Sequence, residues 1–108
     1  MTDRAQQSEQ QRLATLSQVL KWLEVSSSCY DIAGAYVFGS LIRPYRFTPR
    51  SDVDIAVTTI NPTHFFAAMA ALSEWVQRPV DLVELAKCPF AERVCQQGLL
   101  WMPPPSPS

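Results

Sequence analysis

Three short apolar runs, each about as long as a buried strand, alternate with longer stretches of helical pattern along the chain. The runs cover residues 32–38, 52–59 and 80–85 and are rich in residue types that favour strands. In the stretches around them, apolar residues recur at steps of three and four, which is the spacing of an amphipathic helix. Strands that alternate with helices in this way predict a layered α/β or α+β domain.

The helical pattern predicts two longer helices and a short one. The first covers residues 10–25, where four leucines and a valine form one apolar stripe. The second follows Asn61, which is a suitable N-cap, and Pro79 ends it. Pro89 opens a short third helix, which Gly98 ends. Because strands alternate with helices along the chain, chemically active residues are expected where strand ends meet loops.

Length and composition limit the domain organisation. With 108 residues, the chain is expected to form one domain over residues 1–102, followed by a Pro-rich disordered tail over residues 103–108. A content of 47% hydrophobic and 18% charged residues is typical of globular proteins. Residues 1–11 lack the apolar core of a signal peptide, and no stretch approaches the roughly 20 apolar residues of a membrane span. A cytoplasmic protein with no membrane partner is therefore predicted.

Charge and cysteine content argue against several functional classes. Nine basic and ten acidic residues give a formal charge of -1, so no strong field attracts a nucleic-acid backbone, and a nucleic-acid partner is not expected. Cys29, Cys88 and Cys95 are odd in number and contain no Cys-x-x-Cys pair. Neither a disulfide framework nor a zinc site is predicted, and the thiols are interpreted as buried or incidental.

The least expected residues are Asp52 and Asp54, because aspartate is depleted in strands. Two like charges on one face of a strand repel by roughly 4 kcal/mol at 4 Å and an effective dielectric of 20, so a cation is expected there. Their Cα atoms would lie roughly 6.5 Å apart, within reach of one ion or a pair of ions, and oxygen ligands suit magnesium. Asp81 either adds a third carboxylate or pairs with Arg78, whereas Glu84 should face the other way.

The pair Gly39-Ser40 ends the first predicted strand, where a glycine lets a phosphate approach the backbone and a hydroxyl. Each motif alone has an ordinary structural interpretation: Gly-Ser is a common turn, and Asp-x-Asp is often a solvated strand edge. In combination, a phosphate-binding turn and clustered carboxylates with a metal indicate phosphoryl or nucleotidyl transfer.

The order of these motifs resembles the minimal nucleotidyltransferase family of the DNA polymerase beta superfamily. The resemblance covers nearly the whole chain and is carried by residues 37–40, 52–55, 80–83 and 98–100.

The resemblance implies an α/β fold with a mixed sheet of about three to four strands packed with helices, and ATP bound with Mg²⁺. It also implies that Asp52 and Asp54 are metal ligands, that Asp81 is the third carboxylate of the catalytic and metal-binding set, and that Gly39 and Ser40 hold the triphosphate.

Arg43 matches the arginine that commonly follows Gly-Ser in this family, which assigns it to nucleotide binding. Pro44 stands where many members have glycine, and residues 46–49 lengthen the loop, so the loop departs from the family's pattern.

Small bacterial members of this family are often encoded with a HEPN-domain ribonuclease and act as antitoxins that transfer AMP onto a tyrosine of that toxin. The chain is similar to them in size, so transfer of AMP from ATP to a hydroxyl of a HEPN partner is the predicted function. Two alternatives are a non-catalytic antitoxin that neutralises the toxin by contact, and a small-molecule nucleotidyltransferase.

Overall fold

A computed structural model describes residues 2–104, in which a four-stranded sheet packs with three α-helices. The elements in chain order are α1 (Thr2–Tyr30), β1 (Gly34–Phe38), β2 (Val53–Thr59), α2 (Phe65–Val76), β3 (Val80–Glu84), α3 (Ala91–Gln97) and β4 (Leu99–Trp101). Short 3₁₀ turns cover Gly39–Ile42, Pro62–His64 and Leu85–Lys87.

The sheet has the strand order β3-β2-β1-β4 and is mixed. β1 runs antiparallel to both β2 and β4, whereas β2 and β3 are parallel. The predicted α+β fold with three to four mixed strands is confirmed. In one row across the sheet, Phe38 pairs with Asp54, and Asp54 pairs with Asp81.

One face of the sheet forms the core. Alternate residues of β2 are fully buried on this face and pack with apolar residues of α1 and α2; these residues are Val53, Ile55, Val57, Val19, Leu23 and Leu72. Burial of each such side chain contributes about 1.5–3 kcal/mol to folding. The alternation of the pleat places Asp54 on the opposite face.

α3 covers part of this opposite face along β1. Phe90, just before α3, packs edge-on against Phe38 with ring centroids 6.0 Å apart, and Val94 of α3 is buried. Asp54 of β2 and Asp81 of β3 lie on this same face, beside the region that α3 covers.

Several element ends differ from the predicted ones. α1 extends beyond residues 10–25 in both directions and continues through the serine run to Tyr30, because serine lowers helix stability only slightly and Ser27 is buried. Asn61 caps a 3₁₀ turn rather than α2, accepting a hydrogen bond from the Thr63 amide over 3.0 Å. α2 ends before Pro79, with Gln77 in the left-handed region at φ 56°.

The structure describes only the first two residues of the predicted C-terminal tail. Pro103 and Pro104 have no regular structure, and the remainder of the predicted disordered tail, residues 105–108, lies outside the described residues. Cys29 and Cys95 are exposed and Cys88 is half-buried. No helix within residues 2–104 is long and apolar enough to cross a membrane.

Candidate active site

Asp54 lies at the centre of the candidate site. It is half-buried in β2, on the face opposite the core, and pairs in register with Asp81 of the parallel strand β3. Neighbouring strands lie about 4.8 Å apart, so the two carboxylates are adjacent. Asp52 is exposed just before β2, where the Val53 amide donates a hydrogen bond to the Pro79 carbonyl over 3.0 Å. The structure therefore brings the three predicted carboxylates to one region of the sheet.

Burial is the main cause of the raised pKa of Asp54. Burial, followed by the charges of Asp81 and Asp52, raises the pKa of Asp54 to about 6. Within residues 2–104, the salt bridges are Arg12 with Glu9 and Lys87 with Glu84, so none of the three aspartates has a basic partner. The cluster therefore carries uncompensated negative charge.

The predicted alternative pairing of Asp81 with Arg78 is wrong. Arg78 instead donates hydrogen bonds to the carbonyls of Thr48, over 3.3 Å, and Ser51, over 2.8 Å. Its guanidinium also lies 4.4 Å from the centre of the Phe47 ring. Arg78 therefore holds the loop that leads into Asp52 and leaves Asp81 exposed.

The donor set fits a hard divalent cation in its chemistry, because carboxylate oxygens are the ligands that magnesium prefers. As the side chains are placed, no group of three or more His, Cys, Asp or Glu residues within residues 2–104 forms a ready-made metal site. Repulsion between like charges opposes their close approach, and a shared cation would remove that repulsion. We therefore consider Asp52, Asp54 and Asp81 candidate ligands that would have to draw together around the ion.

The raised pKa of Asp54 predicts a stability that falls as the pH rises from about 4 to about 6 in metal-free buffer. In that range the folded chain binds a proton that the unfolded chain releases, so the free energy of unfolding decreases with pH. Solvent screening limits the loss to about 1 kcal/mol. Because other carboxyl groups titrate in the same range, the measurement is the difference between urea titrations of the wild type and Asp54→Asn at both ends of the range. An identical pH dependence of the two proteins would contradict the prediction.

The turn after β1 brings Gly39 against Asp54. Gly39 has φ 77°, a backbone conformation that glycine adopts without strain. A Cβ at this position would lie 3.2 Å from Cγ of Asp54 and closer still to its Oδ2. Ser40 and Arg43 follow, and the Arg43 amide donates a hydrogen bond to the Ser40 carbonyl over 3.1 Å. Of the predicted nucleotide-binding residues, Gly39 thus lies directly against the central carboxylate, and Ser40 and Arg43 follow in the same turn.

A pair of residues in α1, Glu9 and Arg12, braces this turn. The Arg12 guanidinium binds the Glu9 carboxylate through two hydrogen bonds of 2.8 and 2.6 Å. It also donates to the Leu41 carbonyl over 3.1 Å, while Glu9 accepts the Tyr45 amide over 2.9 Å. Hydrogen bonds from Arg12 and Tyr45 lower the pKa of Glu9 to about 2. The brace thus holds both ends of the segment from Leu41 to Tyr45, which contains Arg43 and directly follows Ser40.

The brace also explains an unusual backbone conformation at Tyr45. This residue has φ 63°, which is uncommon for a bulky side chain and persists only where the surroundings impose it. The hydrogen bond from its amide to Glu9 provides that constraint. Sequence reasoning missed the brace: the spacing of Glu9 and Arg12 indicates a helical ion pair, but not its contacts 29 and 36 residues away.

Replacing Arg12 is expected to disturb the turn that carries the predicted nucleotide-binding residues. Arg12→Met would remove the hydrogen bonds that Arg12 donates to the Glu9 carboxylate and to the Leu41 carbonyl, and the turn would lose this support. We expect an approximately tenfold rise in KM for the predicted nucleotide substrate with a smaller change in kcat, and partial recovery in Arg12→Lys, which keeps the charge but not the bidentate contact. Arg4→Met, at an exposed position of the same helix, is the matched control. Equal KM values for Arg12→Met and Arg4→Met would exclude a positioning role.

Carboxylates gathered on adjacent strands, beside a glycine turn that a phosphate can approach closely, define a domain for phosphoryl or nucleotidyl transfer. A family model described as "Polymerase beta, Nucleotidyltransferase" matches residues 21–102. The chain therefore belongs to the polymerase beta nucleotidyltransferase family, and its enzyme class is nucleotidyltransferase. No curated protein and no solved structure matched the chain.

The match covers all the predicted site residues. Glu9 and Arg12 precede its first residue, so the brace lies outside the part of the chain that the family model covers.

Proposed function

We propose that the chain transfers AMP from ATP to a hydroxyl group of a partner protein, and that the partner is a HEPN-domain ribonuclease toxin modified on a tyrosine. In this proposal the chain acts as the antitoxin. The observation that carries the transfer reaction is the cluster of uncompensated carboxylates beside Gly39, within a domain of the nucleotidyltransferase family. The choice of partner rests on the resemblance to small antitoxin members of the family.

Each site residue has a role in this reaction. Asp52, Asp54 and Asp81 would hold Mg²⁺, which supplies neutralisation of the triphosphate and of the charge that develops during transfer. The Gly39 turn binds phosphate oxygens through its backbone and through the hydroxyl of Ser40.

The phosphates need a positive charge beside them, and every bond formed in the transfer must be matched by a bond broken. Arg43, which is exposed at the end of the turn, supplies a further positive charge for the phosphates. The acceptor oxygen forms a bond to the α-phosphorus, the bond to pyrophosphate breaks, and the acceptor proton passes to solvent.

The exposure of the site supports an acceptor on the surface of another protein. Asp52 and Asp81 are both exposed, so an acceptor hydroxyl can approach Asp54 from outside without entering an enclosed pocket. The braced turn supplies a fixed position for the triphosphate, which leaves positioning of the acceptor to the partner. Holding both reactants in place accounts for a large part of the rate enhancement in reactions of this type.

The test is an incubation of the purified chain with labelled ATP, Mg²⁺ and a candidate HEPN protein, followed by intact-mass analysis of both proteins. We expect one or more AMP groups on the partner, and none with Asp52→Asn. A tight complex with unchanged masses would overturn catalysis and favour the antitoxin that acts by contact alone. Label found only on small-molecule acceptors would overturn the choice of a protein substrate.

A further inference from the structure

The loop of residues 43–51, between β1 and β2, begins and ends at the candidate active site. It starts where the Gly39–Ile42 turn ends and stops directly before Asp52. No acidic residue lies within it. Its sequence departs from the pattern of the nucleotidyltransferase family, so family membership assigns it no role beyond that of its first residue. We name it the arginine loop after the three arginines that it contains, Arg43, Arg46 and Arg50.

Long-range contacts hold the backbone of the arginine loop in one conformation. The Tyr45 amide donates a hydrogen bond to the Glu9 carboxylate over 2.9 Å, and the Phe47 side chain is buried in the core. Arg78 donates a hydrogen bond to the Ser51 carbonyl over 2.8 Å. Because its backbone is already held in place, the loop loses little conformational freedom when it binds another molecule.

The arginine side chains of the loop are accessible to a partner. All three are exposed, and Tyr45 beside them is 68% exposed. Within residues 4–104, the two salt bridges lie elsewhere and involve none of these arginines. Arginine and tyrosine are enriched among the residues that dominate the binding energy of protein interfaces. An ordered segment that presents both residue types is therefore suited to binding a protein surface.

The positive charge of the loop lies beside the negative charge of the three aspartates. Asp52 directly follows the loop and lies near Asp54 and Asp81. A polynucleotide would bring negative phosphates to the loop and to the aspartates alike, and the formal charge of -1 gives no general attraction for it. A folded protein can instead place acidic side chains against the loop and an uncharged hydroxyl against the aspartates. The charge pattern therefore favours an acidic protein surface.

We propose that the arginine loop is the docking surface for the acceptor protein and binds an acidic patch beside the acceptor hydroxyl. Arg46 and Arg50 pair with carboxylates of that patch, a contact that the guanidinium group makes through two hydrogen bonds. The Tyr45 ring adds an apolar contact, and Arg43 remains with the nucleotide phosphates. The assignment rests on the proposed protein acceptor and adds the surface that selects it.

The test is a calorimetric titration of the purified chain with a candidate HEPN protein in the absence of ATP, so that binding is measured without catalysis. We expect the double variant Arg46→Glu with Arg50→Glu to weaken binding about 100-fold, because like charges then face each other. Raising the salt concentration should also weaken binding by the wild type. The matched control is Arg4→Glu with Lys21→Glu, which reverses two exposed charges of α1 and should change the affinity by less than about threefold.

A second titration separates docking from nucleotide binding. The neutral double variant Arg46→Gln with Arg50→Gln should weaken binding of the HEPN protein about tenfold. Its affinity for ATP in Mg²⁺ should change by less than about threefold, because Arg43 is retained. Equal losses of affinity for ATP and for the HEPN protein would place these arginines in the phosphate site and overturn the docking surface.

The outcomes separate this inference from the proposed function. If the charge-reversed loop variant binds the HEPN protein as tightly as the wild type, the docking surface is overturned, while the transfer reaction stands. Loop-dependent binding with no AMP on the partner supports the docking surface and overturns the transfer reaction. Tighter binding of a labelled oligouridylate than of the HEPN protein, lost in the same variant, would overturn a protein occupant.

If the wild type does not bind the HEPN protein, both the docking surface and the proposed function fail. Because Arg46 and Arg50 are exposed, both loop variants are expected to fold, and thermal unfolding checks this.

Discussion

Asp54→Asn is expected to abolish nucleotidyl transfer, with a loss of about 1,000-fold or more, while the protein becomes more stable in metal-free buffer at neutral pH. The activity falls because an amide replaces the central carboxylate of the candidate metal site, and a bound metal contributes several kcal/mol to stabilisation of the transition state. The stability rises because the half-buried carboxylate, whose pKa is raised to about 6 by burial and by Asp81 and Asp52, is replaced by a neutral group. We expect a gain of about 1 kcal/mol.

The measurement pairs a transfer assay with urea unfolding of the same preparations. Glu84→Gln is the matched control, because Glu84 is an acidic residue of the neighbouring strand that forms a salt bridge with Lys87 over 2.9 Å rather than joining the cluster. It should retain near-wild-type activity. Asp54→Asn with turnover comparable to that of Glu84→Gln would contradict the assignment of Asp54 as the central site residue.

Gly39→Ala is expected to lower transfer about 100-fold and to cost about 1–2 kcal/mol of stability. The stability loss has a backbone cause, because φ 77° is unfavourable for any residue with a Cβ. The activity loss has a different cause: the added methyl group lies too close to the Asp54 carboxylate and must push it out of place. A displacement of about 1 Å at a reacting centre commonly costs about 100-fold in rate.

Gly34→Ala separates these two effects. Gly34 lies at the other end of β1, and an added Cβ would be 3.1 Å from the side-chain atoms Sδ of Met102 and Oγ1 of Thr58, far from the carboxylates. This control should lose some stability and keep its activity. If both glycine variants lost activity only in proportion to their stability, contact between Gly39 and Asp54 would have no catalytic significance.

The sequence predicted the three apolar strands because strands depend on local pattern, and the same pattern placed Asp52 and Asp54 at the start of β2. Alternation along β2 placed Asp54 on the face opposite Ile55, and the structure agrees. The sequence alone could not decide whether Asp81 joins the carboxylates or pairs with Arg78, since that choice depends on which strand neighbours β2. In the structure, Asp81 pairs in register with Asp54, and Arg78 donates a hydrogen bond to the Ser51 carbonyl instead of contacting Asp81.

Long-range contacts were the part that sequence patterns could not supply. Glu9 and Arg12 look like an ordinary helical ion pair until α1 docks beside the turn that follows β1. The cavity between the turn after β1 and α3 likewise requires Phe38 and Phe90 to meet, although they lie far apart in the chain. Both features arise from packing of elements rather than from any motif within one element.

The position of the brace in the N-terminal third of α1 makes order in the turn after β1 depend on this part of the helix. The terminal turns of a helix open more readily than its middle, because their contacts are fewer. When the turns that carry Glu9 and Arg12 unwind, the Leu41 carbonyl and the Tyr45 amide lose their partners in the same event. Amide hydrogen exchange at Tyr45 would therefore follow the fraying of α1, so the readiness of the site to hold a nucleotide is linked to the fraction of time that this helix end is closed.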